Sequence, residues 1–187
     1  PHMSVYGVTV EPQTPFGRWI ARHDVDEARE EQFEREFLDA HIALTGAGFE
    51  HYEVSNYARP GFQSRHNLAY WDRRPYAAIG PSAHEFDGAV RRWNTDPYAD
   101  WIRRISEGRS TVEGAEDLDK GQIAAELTYL GLRTSRGIET SHLEIGEVRA
   151  LETAGFAHFT DRLRLTPEGW LRLDSIAANL TIDRSRY

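Results

Sequence analysis

The chain has 187 residues, 40% of them hydrophobic and 28% charged, the balance of an ordinary soluble globular protein of one medium domain or of a partial domain plus a small complete one. It contains no cysteine, which excludes disulfides, thiolate zinc sites and an iron–sulfur cluster held by its own thiolates. The net charge of −8 argues against nucleic acid as a partner, and no apolar run is long enough for a membrane span. No signal peptide is visible, so a cytoplasmic location is expected. Pro1-His2-Met3 reads as a cloning remnant, and translation of the natural gene is expected to begin further upstream.

Residues 4–10 alternate and are rich in β-branched and aromatic side chains, which predicts a strand; Pro12 and Pro15 end it. Asp24 is expected to cap a helix over residues 25–45, with Phe33, Phe37, Ala40, His41 and Leu44 on one face. A second strand is expected over residues 49–55, completing a strand–helix–strand unit with a parallel crossover. Residues 56–76 show no clear period and read as a long functional loop. Short strands are expected over residues 76–80 and 89–93. A helix follows from Pro97, capped by Thr95 or Asp96, with Tyr98, Trp101, Ile102 and Ile105 on its apolar face.

Residues 107–118 are polar and nearly free of large apolar side chains, which predicts an exposed linker. Beyond it come helices over residues 120–133 and 145–153, two short strands over 156–160 and 163–165, and a last helix that Thr166 caps and Pro167 begins. Its stripe of Trp170, Leu173, Ile176, Ala177 and Leu180 has core spacing. Helix, helix, hairpin, helix is the order of a winged-helix-like α+β module, expected over residues 119–187, with an α/β part over residues 4–106.

The most informative stretch is Tyr52 to Trp71. It gathers Arg59, Arg65, His66, Asn67, Tyr70 and Trp71 in one segment, and residues 59–92 carry six arginines against three acidic residues. An imidazole can ligate a metal, aromatic rings can stack on a flat macrocycle, and arginines can pair with carboxylates. Composition leaves two readings open: such a ligand site, or a loop pinned by an aromatic plug and a hydrogen-bonded histidine. His84 is a second imidazole nearby, either structural or an alternative ligand. His41 reads as a packing residue, and Glu11 and Glu53 at strand ends are weak evidence for acid–base work.

Tyr52-Glu53-Val54-Ser55-Asn56-Tyr57-Ala58-Arg59-Pro60-Gly61, Ser64-Arg65-His66-Asn67-Leu68-Ala69-Tyr70-Trp71 and Ile79-Gly80-Pro81-Ser82-Ala83-His84 together resemble the radical S-adenosylmethionine (SAM) haem chaperones of the HemW group, relatives of oxygen-independent coproporphyrinogen III oxidase. Glu11-Pro12-Gln13-Thr14, Arg92-Trp93-Asn94, Gly131-Leu132-Arg133 and the ending from Leu165 to Ile176 extend the resemblance over nearly the whole chain, with Gln13 in place of the usual glycine. The resemblance implies the C-terminal part of a radical SAM partial (β/α) barrel followed by the winged-helix-like module. His66, Asn67, Tyr70 and Trp71 match a signature associated with haem binding, which makes His66 the expected axial ligand with Arg65 beside it. Ala58 matches a position whose backbone lies against SAM. The family's three-cysteine loop, which holds a 4Fe–4S cluster, has no counterpart here, so SAM cleavage by this chain alone is not expected.

The first reading is therefore a haem-chaperone-like radical SAM protein that passes haem to an acceptor protein. The second is an enzyme of porphyrin biosynthesis, oxidatively decarboxylating coproporphyrinogen III; the resemblance leaves open whether the family member is an enzyme. A DNA-binding winged helix is the weakest, since residues 110–187 carry nine basic and thirteen acidic side chains. Membrane association is expected only through an acceptor. The open edge of a partial barrel makes a homodimer an expectation.

Overall fold

The computed structural model describes residues 1–8, 10–141 and 143–182, a mixed α/β arrangement with three antiparallel sheets of three strands each. In chain order the first elements are β1 (His2–Ser4), α1 (Pro15–Ala21), α2 (Glu30–Gly46), β2 (Glu50–Glu53) and β3 (Asn56–Ala58). Strand β3 is central and pairs antiparallel with both β1 and β2. The expected parallel crossover unit is thus replaced: β1 and β2 run the same way but flank a third strand. The reversal at residues 54 and 55 is what separates them. Across it the Asn56 amide donates to the carboxyl Oε1 of Glu53, which satisfies two polar groups inside a buried turn.

The strand expected over residues 4–10 shrinks to its first residue. Beyond Ser4 the described residues join no ladder, although Val5 N–H still donates to Ser55 O at 2.8 Å. Helix α1 was not expected. Thr14 accepts from Gly17 N–H at 3.1 Å with Pro15 in the first turn, so the prolines that end one element start the next. Helix α2 starts five residues later than expected from Val25, at Glu30, because Asp24 receives Arg22 Nε at 3.0 Å instead of capping a helix.

The middle of the chain forms α3 (Arg65–Trp71), β4 (His84–Phe86), β5 (Val90–Asn94), α4 (Tyr98–Ser106) and β6 (Val112–Asp117). The segment expected as a long loop thus holds a helix, begun where Ser64 Oγ accepts from Asn67 N–H at 3.2 Å. Of the strand expected over residues 76–80 only a bridge from Tyr76 to Phe86 exists. Pro97, not Thr95 or Asp96, stands at the N-cap of α4. Residues 107–118 are not simply a linker, because β6 pairs with β5 in the sheet β4-β5-β6. Gly114 makes that pairing close: a Cβ there would come within 2.3 Å of the Trp93 ring.

The last elements are α5 (Lys120–Leu132), β7 (Ile138–Glu139), α6 (Ile145–Thr153), β8 (Ala157–Phe159), β9 (Arg162–Leu165), α7 (Pro167–Trp170) and α8 (Leu173–Ile182). A capping box between Asp119 and Gln122 starts α5. Strand β7 is additional to the sequence expectation, and the final helix is split in two. Gly137, at φ +65°, lets β7 approach β9 so closely that a Cβ would lie 2.0 Å from Leu163 O. The apolar core sits here: Leu132, Val148, Leu163, Trp170 and the α8 stripe are buried together, and Trp170 Nε1 donates to Leu132 O at 2.9 Å.

This module is stitched to the first sheet. Val54 N–H donates to Arg133 O and Ser135 N–H to Tyr52 O, both at 3.0 Å, around a Glu53–Thr134 bridge. Phe37 of α2 and Val54 pack against the same core.

Candidate functional site

Helix α3 is fixed to β2 at its start. The Tyr52 hydroxyl accepts from Ser64 N–H at 3.3 Å, lies 2.8 Å from His2 Nε2, and is hydrogen-bonded by the Asn67 side chain. Burial first, and the neighbouring Glu53 among lesser causes, push the Tyr52 phenol up from its ordinary value. With its first turn held in this way, α3 presents residues four apart on one face. His66 meets Tyr70 edge-on at 4.9 Å between ring centroids, and Tyr70 meets Tyr76 at 4.5 Å.

Tyr70 and Trp71 form one wall of a cleft of about 470 Å³ between α3, the second sheet and α5. Tyr76, Phe86 and Tyr129 add aromatic surface, His84 enters from β4, and Arg73, Arg91 and Glu126 bring charge. Glu126 accepts from Arg73 Nε at 2.6 Å and also pairs with Arg91, so one carboxylate ties the end of α3 and strand β5 to α5. The Arg73 guanidinium lies 4.8 Å from the Phe86 ring centroid. The site is an aromatic-lined cleft whose rings are mutually tilted, with two guanidinium groups in its lining that Glu126 pairs. A second, larger cleft of about 1040 Å³ lies between α5, β7 and β9, and Trp71 lines that one too.

Of the residues singled out from the sequence, Tyr70, Trp71 and His84 line the smaller cleft. His66 is exposed, one turn before Tyr70, and lines neither cleft; Arg65 is exposed at the start of α3. Asn67 is half-buried against Tyr52, and Ala58 is fully buried in β3 between His2 and Glu50. Among the described residues no group of three or more histidines or carboxylates could hold a metal ion. Sequence reasoning missed Tyr76, Phe86 and Glu126. Arg73 and Arg91 were visible only as part of the basic stretch, and Glu126, on a helix fifty residues further along, carries no local signal.

His41 and His51 form a separate pair, Nδ1 to Nδ1 at 3.0 Å. His51 is buried, stacked on Tyr57 at 3.9 Å, and edge-on to Trp170 at 4.4 Å. Its Nε2 donates to Val54 O at 3.1 Å, which leaves Nδ1 to accept from His41. Burial lowers the pKa of both imidazoles, that of His51 to about 4. This pair belongs to packing, as His41 was read.

Fold and cleft together describe a mixed α/β protein. Coproporphyrinogen III oxidase HemN from Escherichia coli, described as a radical SAM enzyme, superposes with a TM-score of 0.67 over 96% of this chain and 48% of its own, at 14% identity, a likeness of fold. No family model matches the chain. The heme chaperone HemW of Mycobacterium tuberculosis is 31% identical over 183 residues, which is 96% of this chain and 47% of that protein. The Synechocystis sp. heme chaperone HemW is 34% identical over 145 residues, 76% of this chain and 35% of that protein; that of Escherichia coli is 44% identical over 84 residues, 45% and 21% respectively. The chain is similar over nearly its whole length to HemW heme chaperones and spans about half the length of the first of these relatives.

Proposed function

We propose that this chain is the haem-binding portion of a haem-chaperone-like radical SAM protein, which holds haem in the cleft beside α3 and passes it to an acceptor protein. The observation that carries the reading is the placement of Tyr70 and Trp71, two members of the His-Asn-x-x-Tyr-Trp signature, in the lining of one aromatic cleft together with His84, Arg73 and Arg91. The residue types support haem: rings for the macrocycle face, an imidazole for iron, and Arg73 and Arg91 as the cations of the cleft, which a carboxylate would share with Glu126. His66 is the proposed ligand on the signature, with Arg65 and Asn67 shaping its surroundings; His84, on the cleft itself, is its competitor. When bound, haem supplies the iron and the planar macrocycle, and this chain grips and orients them.

Residues 4–106 then form the C-terminal part of a radical SAM partial barrel and residues 119–187 its winged-helix-like module. In the longer family members SAM would lie against the backbone at Ala58. A 4Fe–4S cluster does not fit the residues present, since the chain has no cysteine. The oxidase reading is second, favoured only by the fold likeness to HemN.

Haem titration followed at the Soret band tests the first reading. His66→Ala is expected to shift and weaken the band while His84→Ala changes it little, and Trp71→Ala to weaken binding by about 1–3 kcal/mol. An unchanged spectrum in His66→Ala with loss in His84→Ala would move the iron to His84.

A further inference from the structure

Strand β2 and helix α3 meet across a side chain that belongs to neither. Arg133, at the end of α5, places its guanidinium carbon 4.5 Å from the centroid of the Trp71 ring. On its other side Arg133 NH2 lies 3.9 Å from Oε2 of Glu53, a fully buried residue. That separation is too long for a hydrogen bond but within reach of an ion pair. Glu53 Oε2, Arg133 Nε and Trp71 Nε1 are all buried without a hydrogen-bond partner among the described residues. Native proteins leave few such atoms, and three in one chain of contacts mark a place where hydrogen bonding has given way to another requirement. The guanidinium's nearest aromatic contact is the indole face, with Tyr129 a more distant second at 6.0 Å from its ring centroid.

We propose that Arg133 is the positioning residue for Trp71: Glu53 holds the guanidinium, and the guanidinium holds the indole as the wall shared by the two clefts. The proposal rests on the reading that Trp71 covers a bound porphyrin, and it names what keeps that ring in place. It also gives Glu53 and the Gly131-Leu132-Arg133 segment a shared task. The backbone role of Arg133 is separable, because its carbonyl accepts from Val54 N–H whatever the side chain.

Two measurements on the 187-residue chain test this, one with haem and one without. In the first, Arg133→Gln is expected to weaken haem binding about threefold to tenfold, the scale of a partly buried cation–π contact. Arg133→Lys should restore most of it, and Arg133→Gln should add nothing in a Trp71→Ala background. A loss as large in that background as in the wild type overturns the proposal. In the second, tryptophan emission without haem should shift in Arg133→Gln and recover in Arg133→Lys, while in a Trp71→Phe background Arg133→Gln should produce no shift. A shift that persists without Trp71, or none at all, also overturns it. Haem affinity indifferent to Trp71→Ala breaks the haem reading instead, and the emission measurement then decides the role of Arg133 alone.

Discussion

Between Leu132 and Leu180 eleven buried apolar side chains touch in one cluster, whereas over residues 1–118 the buried apolar side chains described are Tyr52, Tyr57, Ala58 and Phe86. The earlier region is held instead by directed contacts: Tyr52 on the start of α3, Asn56 on Glu53, and Glu126 between Arg73 and Arg91. Apolar packing gains stability in proportion to area and tolerates little shape change. Polar ties depend on geometry and on pH, and each is worth little beyond its desolvation cost. The cleft lies where these two kinds of cohesion meet, lined from α5 on one side and from α3 and the second sheet on the other. Binding regions are commonly drawn from the less stable end of a structure, and this division supplies one.

Breaking the packed side should have the largest effect. Leu163 is fully buried at the centre of the last sheet, so Leu163→Ala is expected to cost about 2–5 kcal/mol in chemical denaturation. Ile79→Ala, at a residue 89% exposed, should stay within about 0.5 kcal/mol and serves as the reference. Equal losses would mean that the apolar cluster does not dominate stability.

The second effect is acid sensitivity, and it belongs to the seam between the regions. His51 titrates near 4 when folded and near 6.5 when unfolded, so between those values the unfolded chain binds the extra proton. Stability from this group is therefore full above about pH 6.5 and falls as pH drops toward 4, by about 2–3 kcal/mol at most. His51→Phe should flatten the denaturation midpoint over that interval. A variant that follows the wild-type pH curve would remove His51 from the account.

The smallest effect is the most local. Glu126→Gln keeps the side-chain shape but discharges the tie between α3, β5 and α5, and is expected to cost about 1–2 kcal/mol. Amide hydrogen exchange should speed up in α3 and β4 and stay unchanged in α8. Uniform acceleration would show that the two regions open as one unit.

The same division governs what could be read from the sequence. In the later region local signals and tertiary needs agree: the helix expected from residue 120 and the Thr166-Pro167 start appear in the structure, and the residues of the Trp170 stripe are buried together. What escaped is β7, because two residues after a glycine carry no period, and the break that divides the final helix after Trp170. In the earlier region the signals were present but competed. Thr14-Pro15 is a helix start that reads equally well as a strand stop, and Ser64 is a cap hidden behind Pro60-Gly61. Alternation over residues 4–10 predicts a strand, but a strand also needs a neighbouring edge, and the described residues give it one only at His2–Ser4. Within the cleft Tyr70 and Trp71 were legible because they are neighbours in the chain. Glu126 was not, since only folding brings it to Arg73.

The bridge between Glu53 and Thr134, with its two flanking 3.0 Å hydrogen bonds, also makes the molecule a mechanical joint. Residues 133–135 face β2 through this single antiparallel bridge, so the backbone link between the first sheet and the packed module is only a few peptide units long, beside the packing of Phe37, Val54 and His51. A force that draws those two bodies apart loads very few bonds at a time. It also pulls first on the segment that carries Arg133. The backbone that joins the two parts is thus the same backbone that sets the guanidinium over the indole of Trp71.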